Sequence, residues 1–477
     1  MKLLLTCILV ACSAVSPLQG QAPPSPPKVG TPPAQAPATP VQPPPAAVQP
    51  PRPADPFVRE SGAQKSANPP GVPNAALPAI NLFTTVETWS LSQADYAALL
   101  DGSPHERAPY DRLEELAKAG KAKLIGLIAL NNKSGQRAVV ESIDELRYAT
   151  KYSPSERAGE IAFPTSGETR NTGDTLELEP VIGPDGRTID VNLVTQSVRF
   201  EGFKEWQPEA TAAATVQPDF RTEKVTTSIQ VQSGRPVLLA TATPTHVPEE
   251  KGGRQVRVRA LRVTAQPAKP SAPIADKLSD LRVEFLLYAM DREATQRILN
   301  DSPDSAQSHA AVRELLGKGE AQLETVSSLV TRSGQRAVNE EIFEIRYPTE
   351  MNPPAWSTPA NSPPVRRPAS ATAFETRNAG VTLEIEPVLG PEGRIVDINV
   401  VPQSVHFTGM LSVDGVAAKY PPQPLFTTRK VVTSVSSGSG VPVLLGTMSQ
   451  PRDTGVNGRK DDARTSLAYV RVTPIRP

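Results

Sequence analysis

Alternation of apolar and polar residues dominates the chain beyond residue 80 and predicts β-strands. The segments TLELEPVI and TIDVNLV alternate with a period of two, and they flank Gly183-Pro184-Asp185-Gly186, which is a strong turn signal. The segments KVTTSIQV and RPVLLAT flank a Ser-Gly turn in the same way. Because strand, turn and strand follow each other directly, each pair is predicted to form an antiparallel hairpin.

Two short helices are predicted before these hairpins. Tyr96, Leu99 and Leu100 form an apolar i, i+3, i+4 set, which is the spacing of one helix face. In the second half of the chain Asp291 can cap the equivalent helix. The segment RLEELAKAGK predicts the next helix, which stops at Gly120.

The same series of segments occurs twice. Residues 134–148 read SGQRAVVESIDELRY and residues 333–347 read SGQRAVNEEIFEIRY, an offset of 199 positions (333 minus 134). Further along, residues 168–198 match residues 375–405 at an offset of 207 (375 minus 168). This is interpreted as a tandem duplication rather than a solenoid, since solenoid repeats are shorter and more numerous.

The predicted fold class is α+β, in two tandem units. Each unit is expected to have a small α/β front end followed by an antiparallel β core. The predicted divisions of the chain are a signal peptide at 1–20, a disordered spacer rich in Pro, Ala and Gln at 21–79, a first unit at 80–265, a linker at 266–279 and a second unit at 280–477.

Four glycines are interpreted as structural turn residues. Gly135 and Gly334 supply the positive φ of the tight turn in the repeated SGQRA phrase. Gly186 and Gly393 have the same role in GPDG and GPEG. The repeated phrase therefore indicates the start of a duplicated β core and not a duplicated active site.

The ordered β segments carry a resemblance to a known family. From the SGQRA turn the chain runs through NTGDTLELEP and a GPDGR hairpin to FRTEKVTTSIQVQSGRPVLLA, and the second copy repeats this order. The series resembles the C-terminal core of secretins, the outer-membrane ring proteins of type II and type III secretion systems, over residues 124–264 and 323–474. The resemblance implies a secretin-like core and a structural role in protein secretion. The chain departs from the family in lacking the Val-Pro-x-Leu-Gly-x-x-Pro element before the last strand.

The N-terminus predicts export. MKLLLTCILVACSAVSPLQGQA has one lysine, an apolar run too short to span a bilayer and then small residues, which is typical of a signal peptide. Leu9-Val10-Ala11-Cys12 is similar to the lipobox of bacterial lipoproteins, in which the cysteine is acylated. Acylation of Cys12 and ordinary signal cleavage are both left open. Together with the resemblance, export predicts the periplasm or outer membrane of a Gram-negative bacterium.

Candidate chemistry is sparse. Glu177 and Glu179, repeated as Glu384 and Glu386, are paired carboxylates, but this pattern is also that of a half-buried strand whose glutamates face water. The four histidines lack metal-ligand spacing, and no GxSxG, P-loop or GxGxxG motif occurs. Basic and acidic residues both total 50, so there is no net field to attract nucleic acid. We therefore expect no enzyme activity, no cofactor, no metal and no nucleic-acid partner.

Two functions fit these expectations. In the first, the protein is a non-enzymatic envelope component that assembles with protein partners or with itself, with membrane association through a lipidated N-terminus or through assembly. In the second, it is a two-domain envelope binding module that recognises a partner protein or polymer through loops at 149–167 and 348–373. A hydrolase is disfavoured, since no nucleophile–base set is visible.

Overall fold

The computed structural model describes residues 79–100, 108–153, 162–206, 215–244, 254–274, 280–357, 365–411, 422–449 and 463–475. All of them belong to one compact unit, Arg52–Pro477. The other unit, Met1–Pro51, lies outside the described residues. The predicted signal peptide, Cys12 and the predicted spacer, except for its last residue, therefore lie outside them as well.

The described residues contain eighteen strands and four α-helices. The first sequence repeat contributes β1 (Ile80–Ser92), α1 (Gln93–Leu100), α2 (Ala108–Lys118), β2 (Ala122–Lys133), β3 (Ala138–Ser153), β4 (Phe163–Ile182), β5 (Thr188–Trp206), β6 (Thr215–Gln232), β7 (Val237–Ala242) and β8 (Gln255–Pro267). The second contributes β9 (Asp280–Asp291), α3 (Arg292–Asp301), α4 (Ser305–Lys318), β10 (Ala321–Arg332), β11 (Ala337–Asn352), β12 (Ala355–Ser357), β13 (Val365–Arg367), β14 (Ser370–Leu389), β15 (Ile395–Leu411), β16 (Gln423–Gly438), β17 (Val443–Ser449) and β18 (Arg464–Ile475).

The architecture is mostly β, so the prediction of an α+β fold is wrong. The described part of the chain is 72% strand and 13% helix, in two large antiparallel sheets. The helices lie where the periodicity predicts them, but they have only 8 to 14 residues each. Strands such as β3 and β4 run for 16 and 20 residues, because the hairpins extend far beyond the alternating segments that signal them.

The two sequence repeats have the same strand order and share both sheets. Sheet A has the order β10-β9-β18-β17-β2-β1-β8-β7, and sheet B has the order β11-β14-β15-β16-β3-β4-β5-β6. In both sheets the four strands of the second repeat are followed by those of the first. β17 pairs with β2 and β16 pairs with β3, so the repeats join edge to edge.

The main core lies between the two sheets. It contains apolar side chains from both sheets and both repeats, including the fully buried Leu82, Leu176, Leu261, Leu383 and Val470. Two smaller clusters lie on the other face of sheet A, where α1 and α2 cover one repeat and α3 and α4 cover the other. Helices, sheet A and sheet B therefore form three layers, since each apolar face must pack against a neighbour.

The four glycines singled out in the sequence lie in the turns that connect long strands. Gly135, between β2 and β3, has a φ of 73°, and Gly334, between β10 and β11, has a φ of 75°. Gly186 and Gly393, in the turns that follow β4 and β14, have φ values of 65° and 68°. Glycine adopts this backbone region without a steric penalty. The first two turns carry the chain from sheet A to sheet B.

Gly173 lies where the backbones of β3 and β4 approach each other closely. A Cβ atom there would lie 2.1 Å from the carbonyl oxygen of Ser142, at a φ of 117°. Gly202 has the same φ of 117°, but a Cβ there would have nothing within 4 Å. We expect Gly173→Ala to lower the free energy of unfolding by about 4 kcal/mol and Gly202→Ala by about 1 kcal/mol, because only the first displaces a neighbouring backbone. Chemical denaturation measures both losses, and equal losses would contradict the close approach.

A buried histidine lies on the inner face of α4. His309 Nε2 is 3.2 Å from Tyr288 Oη, and its ring packs edge-on against Tyr469 with centroids 5.0 Å apart. Burial, together with Arg313 and Arg471, lowers the pKa of His309 to about 4. The folded state therefore accepts the neutral ring and disfavours the charged one.

The lowered pKa of His309 predicts that acid destabilises the fold. Between pH 6.5 and pH 4 the unfolded chain binds a proton on this ring that the folded chain does not. We expect this residue to remove about 3 kcal/mol of stability as the pH falls through that window, and no more below it. Denaturation curves of the wild type and of His309→Phe at several pH values isolate the effect. An identical pH dependence in both proteins would refute it.

Candidate assembly interface

The paired glutamates lie on β4 and β14, and one of each pair binds an arginine. Glu177 forms an ion pair with Arg137, and Glu384 forms one with Arg336. Both arginines belong to the repeated SGQRA turn. The structure therefore brings the two repeated motifs together as surface ion pairs, which have little net effect on stability.

The described histidines lie apart from each other. His309 lies on the inner face of α4, and the Nε2 of His406, on β15, is 2.7 Å from Ser404 Oγ. His105 and His246 lie outside the described residues. In the part of the chain that the structure describes, no group of His, Cys, Asp and Glu side chains has an arrangement that could hold a metal ion.

No helix among the described residues combines the length and apolar character needed to cross a membrane.

The segments proposed as binding loops are largely strand. The described part of residues 149–167 extends β3 and β4, and that of residues 348–373 extends β11 and β14 and adds the β12–β13 hairpin. The two segments meet at one pair, Glu350 with Ser166. Residues outside the described ones are 154–161 and 358–364.

The strongest candidate for a functional surface is the set of strand edges that remain open when the two repeats pair with each other. In the pairing between the repeats, β16 pairs with β3 over seven residue pairs, from Phe426 with Glu145 to Val432 with Val139. β17 pairs with β2 over two residue pairs, Gly446 with Leu130 and Thr447 with Ala129. We call this pairing the internal junction.

Charged side chains cross the internal junction. Arg377 of β14 donates to both carboxylate oxygens of Glu145, at 2.9 and 2.5 Å, and Thr428 Oγ1 donates to the same carboxylate at 2.9 Å. Lys133, at the end of β2, lies 2.6 Å from Asp397 of β15. A bidentate arginine–carboxylate pair is directional as well as strong, so these contacts specify the register of the junction.

A buried ion pair joins β16 of sheet B to β10 of sheet A, and the equivalent position of the first repeat has the opposite charge. Arg429 Nη1 is 2.6 Å from Glu324. Burial lowers the pKa of Arg429, and Glu324 counteracts part of this effect. In the first repeat, the equivalent of Arg429 is Glu223, which binds Arg257 at 2.6 Å and Arg259 at 3.5 Å. Both repeats therefore compensate charge at this position, but with inverted sign.

A charged cavity opens beside Glu223, between β6 of sheet B and β7 and β8 of sheet A. Its volume is about 1180 Å³, and its lining includes Arg221, Lys224, Arg257 and Arg259. Burial lowers the pKa of Arg257 and Arg259, and Glu223 opposes this lowering. The open end of the space between the sheets is thus polar and mainly basic.

The internal junction leaves one edge of each repeat open. Within the described residues, β6 pairs with β5 alone and β7 with β8 alone, and at the far end β10 pairs with β9 alone. β11 pairs with β14 and, at a single residue pair, with β4. Such edges present backbone donors and acceptors that another strand can pair with.

The β10/β11 edge exposes apolar side chains that the equivalent β2/β3 edge buries. Val326 and Val338 are 57% and 53% exposed, whereas Leu127 and Val139, at the equivalent positions of β2 and β3, are 2% and 5% exposed. The same edge also exposes Leu323, Val330, Ile342 and Phe343. The difference arises because β16 and β17 cover β3 and β2, so the exposed row indicates a surface that is suited to a partner.

The structure is weakly similar to two solved secretin structures. One is the InvG secretin domain β-barrel from the Salmonella SPI-1 injectisome NC-base, at 13% identity and a TM-score of 0.21, with 42% of this chain and 65% of that chain covered. The other is the type II secretion system secretin GspD of E. coli, at 9% identity and a TM-score of 0.16, with 39% and 48% covered. The chain thus spans less than two thirds of either structure. No protein family model and no curated protein matches the sequence.

Sequence reasoning missed the residues of the open edges. The signal lies in the difference between AVVESIDE of β3 and AVNEEIFE of β11. Val140, which is fully buried, is replaced by Asn339, and Ser142 is replaced by Glu341. Such polar replacements in one copy mark the strand that the fold leaves uncovered.

The contribution of the Arg377–Glu145 pair can be measured by a double-mutant cycle. Its side chains are 26% and 17% exposed, and we expect a coupling energy of about 1.5 kcal/mol between Arg377→Gln and Glu145→Gln in denaturation experiments. The matched control is Glu314 with Lys318, a 2.6 Å pair that is 68% and 54% exposed. Its coupling should be much smaller, because solvent screens both exposed charges. Equal couplings would show that the cross-junction pair has no special role.

Proposed function

We propose that the protein is a non-enzymatic component of the bacterial cell envelope that assembles with protein partners through its open sheet edges, as part of a protein-secretion apparatus. The observation that carries this proposal is the β10/β11 edge, where open strand edges and a row of exposed apolar side chains coincide. Strand addition at such an edge supplies backbone hydrogen bonds and buries the apolar row at the same time.

Further features of the sequence support a location in the cell envelope and a role in secretion. The predicted signal peptide supports export to the periplasm or outer membrane, and the resemblance of the ordered β segments to secretin cores supports a role in secretion. The repeated glutamates, which were the best candidates for acid–base chemistry, include Glu177 and Glu384 as partners of arginines. A structural role accounts for these residues without a reaction.

The charged cavity favours a second candidate, an envelope binding module. A volume of about 1180 Å³ with several arginines could accept an acidic segment of a partner protein or polymer. This function predicts a chain that stays monomeric and whose melting temperature rises with added ligand.

The proposed assembly role can be tested on the open edge. Val338→Lys combined with Ile342→Lys changes two side chains that are 53% and 42% exposed, so the fold should be retained. Strand addition would have to bury both charges. We expect the envelope complex that contains this protein to become at least about tenfold less abundant, as measured by sedimentation after gentle detergent extraction, and protein export to fall with it.

The matched control is Val388→Lys, which changes a valine that is 39% exposed on β14, a strand with neighbours on both sides. It should leave the complex intact. A complex of normal size and abundance in the β11 variant would refute assembly through this edge.

A further inference from the structure

We infer that the occupant of the open edges is a second copy of this chain, whose β10/β11 edge adds to the β6/β7 edge of its neighbour. This inference rests on the proposed function and names the partner. Its basis is that the open edges are the sequence equivalents of the edges that the internal junction joins. β6 and β7 correspond to β16 and β17, and β11 and β10 correspond to β3 and β2.

The internal junction also predicts the register between copies. Positions in β6 precede their equivalents in β16 by 206 (426 minus 220), and positions in β11 follow their equivalents in β3 by 199 (344 minus 145). The internal pair Phe426 with Glu145 therefore corresponds to Phe220 with Glu344 of the neighbouring copy.

In this register Arg170 meets Glu344 of the neighbouring copy. They are the equivalents of Arg377 and Glu145, the bidentate pair of the internal junction. Glu344 is exposed on β11, and Arg170 is exposed on β4. Among the described residues, neither has a partner of opposite charge within salt-bridge distance.

The surroundings of Arg170 match those of Arg377. Its guanidinium lies 6.0 Å from the centre of the Phe220 ring and 3.5 Å from Thr222 Oγ1. Arg377 lies 6.0 Å from the Phe426 ring and 3.0 Å from the equivalent threonine. In the internal junction the Glu145 carboxylate completes the set of arginine, phenylalanine and threonine. The open edge has the equivalent arginine, phenylalanine and threonine but no such carboxylate, and Glu344 of a neighbouring copy would supply it.

A second salt bridge of the internal junction also has an equivalent with the same signs. Lys133 and Asp397 correspond to Arg332 and Asp190. The Arg332 side chain is 81% exposed, and its nearest carboxylate, Asp280, is 4.0 Å away. Arg332 of one copy would reach Asp190 of the next, so two ion pairs fix the same alignment.

A third pair comes directly from strand register. Lys430 lies opposite Glu141 in the internal junction. Their equivalents are Lys224 and Glu340, which are both exposed on the open edges. Opposite charges that face each other across paired strands are favourable. All three charge pairs therefore favour the same register between neighbouring copies.

The contact in sheet A would be looser between copies than within the chain. A Cβ atom on Gly446 would lie 2.6 Å from the carbonyl oxygen of Ala129, so the internal junction requires glycine there. The equivalent residue of β7 is Ala240. Its methyl group must hold β7 and β10 of two copies further apart, and sheet B therefore carries most of the contact.

The joined surfaces differ from each other, so the contact is heterologous. Each copy offers both surfaces, and addition can continue until a ring closes or a filament grows. The repeating step is the transformation that relates the two repeats within one chain, apart from the adjustment that Ala240 imposes.

Charge reversal provides a test with an internal rescue. In the full-length chain, Arg170→Glu and Glu344→Lys each place like charges opposite one another between copies. We expect each variant alone to associate at least about tenfold more weakly than the wild type, as measured by analytical ultracentrifugation over a wide range of concentration. An equimolar mixture of the two variants should recover association, because every contact in an alternating assembly again joins opposite charges.

Two further variants sharpen the test. Ala240→Gly should strengthen association, since it restores the glycine of the internal junction. Glu179→Lys, which reverses an exposed carboxylate on β4 away from the open edges, should associate as the wild type does. Unchanged melting curves for all variants show that the effects do not arise from unfolding.

Three outcomes would overturn the inference. The wild-type chain could be monomeric at every concentration, the two charge reversals could leave its association unchanged, or the mixture could fail to recover it. If the chain is monomeric but its envelope complex still depends on Val338 and Ile342, the occupant is a different protein. In that case the proposed function stands while the second copy is rejected.

Discussion

The pairing of β16 with β3 is the constraint on which the rest of the structure depends. It places the last sheet B strand of the second repeat against the first sheet B strand of the first repeat, and sheet B becomes continuous across the chain, as sheet A does through β17 and β2. The main core follows from this, since Val140, Val431 and Val435 pack in one cluster with side chains from both sheets and both repeats. Burial of that shared apolar surface is the main source of stability, and it cannot be divided between the repeats.

The hairpins, the short helices and their order could be predicted, because they depend on local periodicity and turn chemistry. Asp291 illustrates this: its side chain accepts hydrogen bonds from the backbone of Glu293 and Ala294 at the start of α3, as a helix N-cap does. Strand length could not be predicted. The stretch SGETRNTGD within β4 is polar and contains two glycines, and it is strand because β3 pairs with it along its whole length.

The order of the sheets could not be predicted either, because tertiary contacts alone decide which edge is covered. β3 and β11 have nearly the same sequence, yet one is central and the other is an edge. Alternation reports that a strand has a buried face, but it does not report what lies beside the strand. The residues of the candidate interface could not be predicted for the same reason. Arg170 and Glu344 are exposed residues on separate strands, and only the ion pair between their equivalents, Arg377 and Glu145, suggests that they pair between copies.

The sharing of sheets also has a consequence for the order of folding. Asn81, on the first strand, exchanges hydrogen bonds with the backbone of Ser436, which is 355 positions further along the chain. Pairings of such long range are slow to form, since the loop between the partners must close first. Sheet B cannot be completed until β16 has left the ribosome, and sheet A cannot be completed until β17 and β18 have left it. The native sheets are therefore completed only when synthesis is nearly finished, whatever local hairpins and helices form before that.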